Sequence, residues 1–370
     1  MKVLKIILLM LFFIGCQPIS SHQRVHFIAV GDHLLHSSLL EWADRMKGTS
    51  QDGEYDFSNL YQNVSSYIQE ADLAFVNQET ILGGDNLKIT GYPLFNSPQV
   101  VAKNLHDIGF NIINGATNHA LDQGFSGVCH SVHAFQKYSD IKYIGLHERK
   151  EDKDDIPIIV KKGIRFALLS YNQWSNVDLP NDYCINTFDK QYIQKDVQKA
   201  QENSDFIIVS CHWGEEYEME ANDFQKEYAQ FLTDLGVDVI IGTHSHTLQE
   251  VQWLQGKKQT LVAYSLGNFI SGMMEEETQL GGMLSLDFVK DNQGCHIENT
   301  TLIPLINHYT AQAYDVYQTR DHFTVYPLKD YHQNLASQHG LNGYQNIVID
   351  IERMKAMVKQ KVQASITIFM

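Results

Sequence analysis

The stretch that decides the fold is VDVIIGTHSHTLQEV, residues 237–251, in which a short apolar run ends in His244 and His246. On an extended backbone, side chains two residues apart face the same side, so both rings could reach one metal ion or two adjacent ions. Two neighbouring imidazoles used as core filler would need several hydrogen-bond partners. A chance surface position fits poorly with the apolar run. The segment therefore predicts a strand that ends in metal ligands.

The same pattern recurs along the chain, with short runs of Val, Ile, Leu, Phe and Ala that end abruptly in polar residues. The runs lack clean alternation, which indicates strands covered on both faces. The polar residues are Asp32 after VHFIAVG, Asn77 to Glu79 after ADLAFV, Asn118 and His119 after GFNIINGAT, Asn172 after RFALLSY, His212 after DFIIVSC, and Asn268 after TLVAYSLG.

Stretches with helical spacing separate these runs, at roughly 57–70, 98–108, 124–138, 190–203 and 221–235. Strands that alternate with helices in this way predict a layered α/β fold, with sheets flanked by helices. In such folds ligands bind beyond the carboxyl ends of the strands. The polar residues at the strand ends are therefore expected to converge at one edge of a sheet.

After about residue 280 the pattern changes from mixed α/β to mainly β. Residues 281–305, GGMLSLDFVKDNQGCHIENTTLIPL, alternate around an Asn-Gln-Gly turn and predict a hairpin, and residues 345–370 predict a helix followed by a short apolar end. We expect one catalytic-type domain at 24–275 and a β-rich extension with a terminal helix at 276–370, packed on it.

Each single candidate also has an ordinary structural explanation. Asp32 could cap a turn or helix, with His33 and His36 behind it as weak candidates. Asn77 and Glu79, which share a face in extended backbone, suit a divalent ion or a buried hydrogen-bonded pair.

The segment GATNHALDQG, residues 115–124, is more specific. If a helix begins there, Asp122 lies beside His119 and can orient it as a general acid or base. The alternative is a capping Asn next to a hydrogen-bonded histidine. His212 on its own would more often be structural.

Together these residues are stronger evidence for a metal site than any one of them alone. The expected metal ligands are Asp32, Glu79, Asn118, His212, His244 and His246. Imidazoles with carboxylates suit Mn, Fe or Zn rather than calcium. Six ligands exceed what one four-coordinate ion needs, so we predict two divalent ions that share a carboxylate. Two-metal centres of this kind activate water and stabilise an in-line displacement.

The N-terminus predicts export. MKVLKIILLMLFFIGC has two lysines, an apolar run too short to span a bilayer, and Gly15 before Cys16. This is similar to a bacterial lipoprotein signal over residues 1–16, with Cys16 as the lipidated residue. A plain secretory signal and an uncleaved anchor are the alternatives. We expect an envelope protein, anchored to a membrane and facing the periplasm or the cell exterior.

Charge and cysteine content limit the partners. With 28 Lys and Arg against 44 Asp and Glu, the net charge is −16, and no basic stripe is present that would bind nucleic acid. Cys129, Cys184, Cys211 and Cys295 show no CxxC spacing, so a zinc ribbon is not expected. Export permits disulfides between them, and free thiols are equally compatible.

The ordered set of motifs resembles the CapA family of poly-γ-glutamate capsule biosynthesis proteins, which is similar in fold to calcineurin-like metallophosphoesterases. The matching segments are AVGD at 29–32, ADLAFVNQET at 71–80, GATNHALDQG at 115–124, VSCHWGEEY at 209–217, GTHSHTLQEV at 242–251 and YSLGNF at 264–269. The resemblance implies the six metal ligands named above and a catalytic or leaving-group role for His119. From the residues themselves, Asn77 and Asn268 are expected to line the site, and a plain turn position is the alternative for Asn268.

Two departures from the broader phosphoesterases stand out. Their first motif is Asp-any-His, and this chain has Leu34 at the position of that histidine. Their second motif has an Asp where this chain has Glu79. The first metal site is therefore expected to be weaker or differently filled, which puts simple phosphodiesterase activity in doubt.

The leading hypothesis is an exported metal-dependent hydrolase that acts on a phosphoester or an anionic polymer, with capsule synthesis and export proteins as partners. The alternatives are an assembly component that binds the polymer at the same metals without turnover, and a periplasmic sugar or peptide binder without metal.

Overall fold

The computed structural model describes residues 22–48 and 53–370, which form fifteen strands and nine α-helices. The strands are β1 Gln23–Leu34, β2 Leu73–Gln78, β3 Ile112–Asn114, β4 Lys142–Ile144, β5 Ile158–Lys161, β6 Ile164–Asn172, β7 Phe206–His212, β8 Val239–Thr243, β9 Val251–Gln255, β10 Gln259–Ala263, β11 Asn268–Ser271, β12 Leu280–Asp291, β13 Gly294–Thr310, β14 Asp321–Pro327 and β15 Thr367–Ile368. The helices are α1 Ser37–Lys47, α2 Ser65–Glu70, α3 Val100–Ile108, α4 Gly124–Gln136, α5 Lys150–Lys153, α6 Lys190–Asn203, α7 Asp223–Leu235, α8 Gln333–Ser337 and α9 Ile351–Lys361.

The strands form two sheets, which confirms the layered α/β fold. The first has the order β14-β13-β12-β1-β2-β3-β4, with β11 paired to β1 and β15 paired to β13, and the second has the order β5-β6-β7-β8-β10-β9. Neighbours β1 to β4 run parallel, as do β6, β7, β8 and β10. The carboxyl ends of strands from both sheets therefore contribute to the same buried region.

A core of large apolar side chains lies between the two sheets. Phe288 of β12 contacts Phe27 in its own sheet, with ring centroids 5.6 Å apart. It also contacts Phe166 of β6 and Phe206 of β7, at 4.9 and 4.7 Å. Each buried phenylalanine contributes roughly 1.5–3 kcal/mol. These contacts fix the distance between the sheets and thus the relative positions of their strand ends.

The helices predicted from spacing are confirmed as α3, α4, α6 and α7, and the hairpin after residue 280 as β12 and β13. The stretch 57–70 splits into a 3-10 turn at Ser58–Tyr61 and the short α2. The terminal helix is α9.

The β-rich C-terminal strands are part of the first sheet, because β12 is the antiparallel neighbour of β1. Beyond α9, Val362 forms a bridge to Val251 at the edge of the second sheet, and β15 pairs with β13 in the first.

The predicted signal segment and the predicted lipidation site lie outside the described part of the chain. The signal segment 1–16 and Cys16 are not among the described residues. Within residues 22–48 and 53–370, no helix has the length and apolarity needed to cross a bilayer. Cys129, Cys184, Cys211 and Cys295 are all free thiols in this structure.

Candidate metal centre

Asp32 reaches the centre because β1 changes its neighbour at that residue. From Gln23 to Val30 the strand pairs with β12, and from Asp32 it pairs with β11 across a bulge. A side chain at Gly31 would place its Cβ 1.8 Å from the carbonyl oxygen of Gly267, and the Asp32 amide donates to that oxygen at 2.9 Å. Glycine is thus required at 31, and the close approach holds the buried carboxylate of Asp32 at the junction.

The first group of potential ligands is Asp32, Glu79 and His246, whose ligand atoms lie within 4.8 Å of one another. His246 Nδ1 is 3.3 Å from Asp32 Oδ2, and His246 Nε2 is 3.6 Å from Glu79 Oε1. Asn268 Oδ1 lies 3.1 Å from His246 Nδ1. Donation of the Nδ1 proton to Asn268 leaves Nε2 free to bind a cation, which is how a neighbouring acceptor selects a histidine tautomer.

The second group is Glu79, His212 and His244. His212 Nε2 lies 2.9 Å from Asn118 Oδ1 and 3.9 Å from Glu79 Oε1. Its Nδ1 lies 3.0 Å from the hydroxyl of Thr243, which again leaves Nε2 to face the group. Glu79 belongs to both groups, so its carboxylate lies where the two groups meet.

The residues fit divalent ions because buried ligand atoms lack partners. Both carboxylate oxygens of Glu79 and both ring nitrogens of His244 are buried and accept or donate no hydrogen bond to any described residue. Buried polar atoms in native proteins are otherwise nearly always paired. Carboxylates and imidazoles are the donors that Mn, Fe and Zn prefer. Divalent cations at these groups would satisfy the carboxylate oxygens of Glu79 and one ring nitrogen of His244.

Burial and mutual charge set the protonation of these groups. Burial raises the pKa of Glu79 well above its usual range. Burial and neighbouring imidazoles hold the pKa values of His212 and His244 well below theirs, so both rings are neutral, the form that binds metal. For His246, burial lowers the pKa, but Glu79 and Asp32 outweigh it and raise the pKa to about 9. Without a cation, the cluster thus retains a proton.

The backbone at the histidine pair differs from the extended conformation expected from the sequence. β8 ends at Thr243, and both residues have positive φ, 97° at His244 and 61° at His246. Such values are strained for residues other than glycine, and strain of this kind clusters at functional sites. The amide of His244 donates to Asp32 Oδ2 at 3.2 Å, which holds the turn in place. The two rings still face one cluster, with centroids 6.0 Å apart.

His119 and Asp122 lie in a turn rather than in a helix. The helix α4 begins only at Gly124, whose φ is +64°, and the preceding turn closes through the Asp122 amide to the His119 carbonyl at 3.3 Å. The predicted contact is present all the same, with His119 Nδ1 2.8 Å from Asp122 Oδ2. Phe95 packs edge-on against the His119 ring at 4.6 Å and donates its amide to the same carboxylate oxygen at 2.7 Å.

Asn77 lies in the cluster, but its amide is fully used within the protein. It donates to Asp32 Oδ1 at 2.7 Å and accepts from Asn114 at 2.6 Å. It therefore positions Asp32. The weak candidate His33 faces the hydroxyl of Tyr61 at 2.6 Å. His36 accepts from the Gly272 amide at 3.2 Å.

The sequence predictions did not include Glu216, which forms a third group with His244 and His246. Its carboxylate is exposed at the open side of the centre, and its ligand atom lies within 4.8 Å of those of both histidines. The segment HWGEEY contains two adjacent glutamates after the His212 strand, and only the structure distinguishes Glu216 from Glu215. Trp174 is a further omission, packed edge-on on His244 at 4.7 Å.

A cavity of about 860 Å³ opens directly beside the centre. His119, His246 and Glu216 line one side of it. Three segments of the C-terminal part of the chain also line it, with residues 272–277, then 317, 318 and 320, and then 344, 345 and 347. A substrate in this cavity would meet the His119 ring and the metal-ligand groups together.

Comparison with known proteins gives one family. A family model described as "Bacterial capsule synthesis protein PGA_cap" matches residues 26–273. The chain is 27% identical over 263 residues to "Capsule biosynthesis protein CapA" of Bacillus anthracis, an alignment that covers 67% of this chain and 60% of that protein. It is 29% identical over 196 residues to "PGA biosynthesis protein CapA" of Bacillus subtilis (strain 168), over 52% of this chain and 50% of that protein.

The chain thus spans about half to three fifths of the length of these curated relatives. Among solved structures, a crystal structure described as a novel phosphatase from Mycoplasma pneumoniae has a TM-score of 0.48 and 15% sequence identity, over 76% of this chain and 94% of that chain.

Proposed function

The chain belongs to the bacterial capsule synthesis protein family PGA_cap, and we propose that it acts in the synthesis of a capsule or cell-envelope polymer of the poly-γ-glutamate kind, through a hydrolase-type centre of two divalent ions. The substrate is an anionic polymer or a phosphoester. Capsule synthesis and export proteins are the proposed partners.

The observation that carries the proposal is the set of orphaned atoms on Glu79 and His244. A carboxylate and an imidazole buried without partners are costly in a protein that gains nothing from them. Asp32, Glu79 and His246 would hold one ion, and Glu79, His212, His244 and Asn118 the other. Bound there, two divalent ions supply Lewis-acid activation of water and stabilisation of developing negative charge.

His119 is the proposed proton donor to the leaving group. Asp122 accepts its Nδ1 proton and Phe95 restrains its ring, which directs Nε2 toward the cavity. This is the arrangement of an oriented general acid. The carboxylate of Asp122 is itself held by the amide of Phe95, so the pair is fixed before a substrate arrives.

The cellular location is part of the proposal. The lipoprotein-type segment that ends at Cys16 supports export and lipid anchoring, with the centre facing the periplasm or the cell exterior. Labelling with a palmitate analogue in a bacterial host tests it. Incorporation into the wild-type protein and none into Cys16→Ala would support the anchor, and equal labelling would exclude it.

Metal content is the first test of the centre. About two Mn, Fe or Zn ions per chain are expected by elemental analysis, and the His244→Ala/His246→Ala variant should lose most of them. The matched control is His133→Ala/His322→Ala, which removes two exposed histidines that belong to none of the ligand groups. No metal after purification without chelator, and no uptake on adding Mn²⁺ or Zn²⁺, would refute the centre.

A second candidate function is polymer binding without turnover. Leu34 stands where the phosphoesterase motif has a histidine, so the Asp32 group has fewer ligands than a full two-ion centre. With bis(p-nitrophenyl) phosphate and Mn²⁺, turnover that falls by about 10²–10⁴ in His119→Ala would support the hydrolase. Equal inertness of the two proteins, with metal bound in both, would favour the binding function.

A further inference from the structure

The C-terminal residues that line the cavity beside the metal centre include one arginine or lysine, Arg320. Most of these residues, Arg320 included, lie beyond residue 273, where the match to the family model ends, so the family assignment says nothing about them. The ligand that Arg320 binds would narrow the substrate class of the proposed function, and this inference rests on that function.

Arg320 is held rigidly, directly before β14. It is 6% exposed, and its guanidinium lies over the rings of Tyr309 and Tyr317 at 5.7 and 5.2 Å. Nε donates to the Tyr317 carbonyl at 3.3 Å and Nη1 donates to the carbonyl of Gly272. Neither hydrogen bond uses Nη2. These contacts fix the plane of the guanidinium before any ligand binds.

No described carboxylate pairs with Arg320. Within residues 22–48 and 53–370, ion pairs to Asp or Glu are found for Arg24, Arg45, Arg149, Arg165 and Arg353, but none for Arg320. A buried charge without a counter-ion is costly. Arginine is nonetheless suited to carboxylates and phosphates, because its planar fork makes two parallel hydrogen bonds to them.

The other charged groups of the cavity restrict the shape of the ligand. Glu41, Glu216, Glu275 and Glu277 are exposed along its rim, whereas Glu276 pairs with Arg353. These carboxylates repel a polyanion that lies lengthwise across the opening. A ligand with one anionic group inside the cavity avoids this repulsion and places its charge at Arg320.

We propose that Arg320 binds an anionic group, a carboxylate or a phosphate, at the end of the substrate, while the metal-ligand groups hold the bond to be cleaved. The substrate is then a chain end or a small anionic molecule rather than the middle of a long polyanion. Residues after 273 thus contribute the specificity of the site.

The test uses the Mn²⁺-loaded protein and isothermal titration with glutarate, 4-phosphonobutyrate and butyrate. Butyrate has one anionic group and the other two ligands have two. Wild-type protein should bind at least one of the two-anion ligands about tenfold more tightly than butyrate. Arg320→Gln should reduce that preference to about twofold or less. Whichever of glutarate and 4-phosphonobutyrate loses more affinity in Arg320→Gln shows whether the anionic group is a carboxylate or a phosphate.

Arg149→Gln is the matched control, since it removes one positive charge from an exposed residue that does not line this cavity. An undiminished preference in Arg320→Gln would overturn the inference. If that variant does not fold, Arg320→Lys is measured instead. A reduced preference for the two-anion ligands over butyrate would support the inference, and an unchanged preference would overturn it. Metal content is measured on every sample, so that loss of the centre, which would refute the proposed function, is separable from loss of the preference.

Discussion

Replacement of Glu79 by glutamine is expected to change stability in opposite directions with and without metal. In the metal-free protein, both carboxylate oxygens of Glu79 are buried without a hydrogen-bond partner among the described residues, and burial raises its pKa. A buried unsatisfied group costs about 1–3 kcal/mol, and more when it is charged. A neutral side chain of the same shape removes the charged part of that cost. Metal-free Glu79→Gln should thus be more stable than metal-free wild type by about 1–3 kcal/mol.

With metal the order should reverse. An ion at a hundred times its dissociation constant stabilises the folded state by about 2.7 kcal/mol, and the variant, which lacks the shared carboxylate, gains less. The assay is urea unfolding of both proteins in EDTA and in excess Mn²⁺.

Glu250→Gln serves as the control, because its carboxylate has partners: Oε2 accepts from the Ala221 amide at 3.1 Å, and Oε1 lies 3.7 Å from Lys361 Nζ. That substitution should destabilise the protein equally with and without metal. A metal-free Glu79→Gln protein less stable than wild type would refute the reasoning, since it would show that the carboxylate has a structural role of its own.

Three further predictions concern residues around the centre and in the C-terminal region. Gly31→Ala should destabilise the protein by about 1–3 kcal/mol and lower its metal content, because its Cβ would lie 1.8 Å from the Gly267 carbonyl; unchanged urea unfolding would contradict this. Glu216→Gln should weaken Mn²⁺ binding several-fold in a metal-buffered titration, whereas Glu215→Gln should not, and equal affinities would exclude Glu216 as a ligand. Burial and a neighbouring histidine lower the pKa of His339 to about 3, so the stability it contributes is present above the unfolded pKa of 6.5 and is lost as pH falls. Between pH 6.5 and 5.5 the unfolding free energy of wild type should fall by about 1 kcal/mol more than that of His339→Gln, and parallel losses would refute this.

The part of the centre that the sequence predicts is the part built from strand ends. Asp32 lies near the carboxyl end of β1 and His212 ends β7, and the apolar composition of both strands is visible in the sequence. Parallel strands bring their carboxyl ends to the same edge of a sheet whatever loops connect them. Glu79 follows directly after β2 for the same reason. Predicting that these residues share one edge of a sheet therefore requires no information about contacts between distant segments.

The remainder depends on contacts between distant segments. The positive φ values at His244 and His246 come from a turn held by Asp32, 212 residues earlier, and local sequence does not show such a contact. Glu216 is an exposed loop glutamate next to another, and only its distance to the histidines distinguishes it. Arg320 faces the cavity because the C-terminal strands join the first sheet, and a pattern of alternation does not reveal which strand they will pair with.

The pairing of β1 with β12 has a consequence for the order of folding. β1 lies inside its sheet, yet Gln23 pairs with Lys290, so one side of the first strand has no partner until more than three quarters of the chain has been synthesised. Contacts of such sequence separation form slowly, and an open apolar strand edge recruits other chains meanwhile. A fragment cut to residues 26–273 would keep that edge open permanently. The nascent protein thus has an exposed strand edge until the last quarter of the chain has been made.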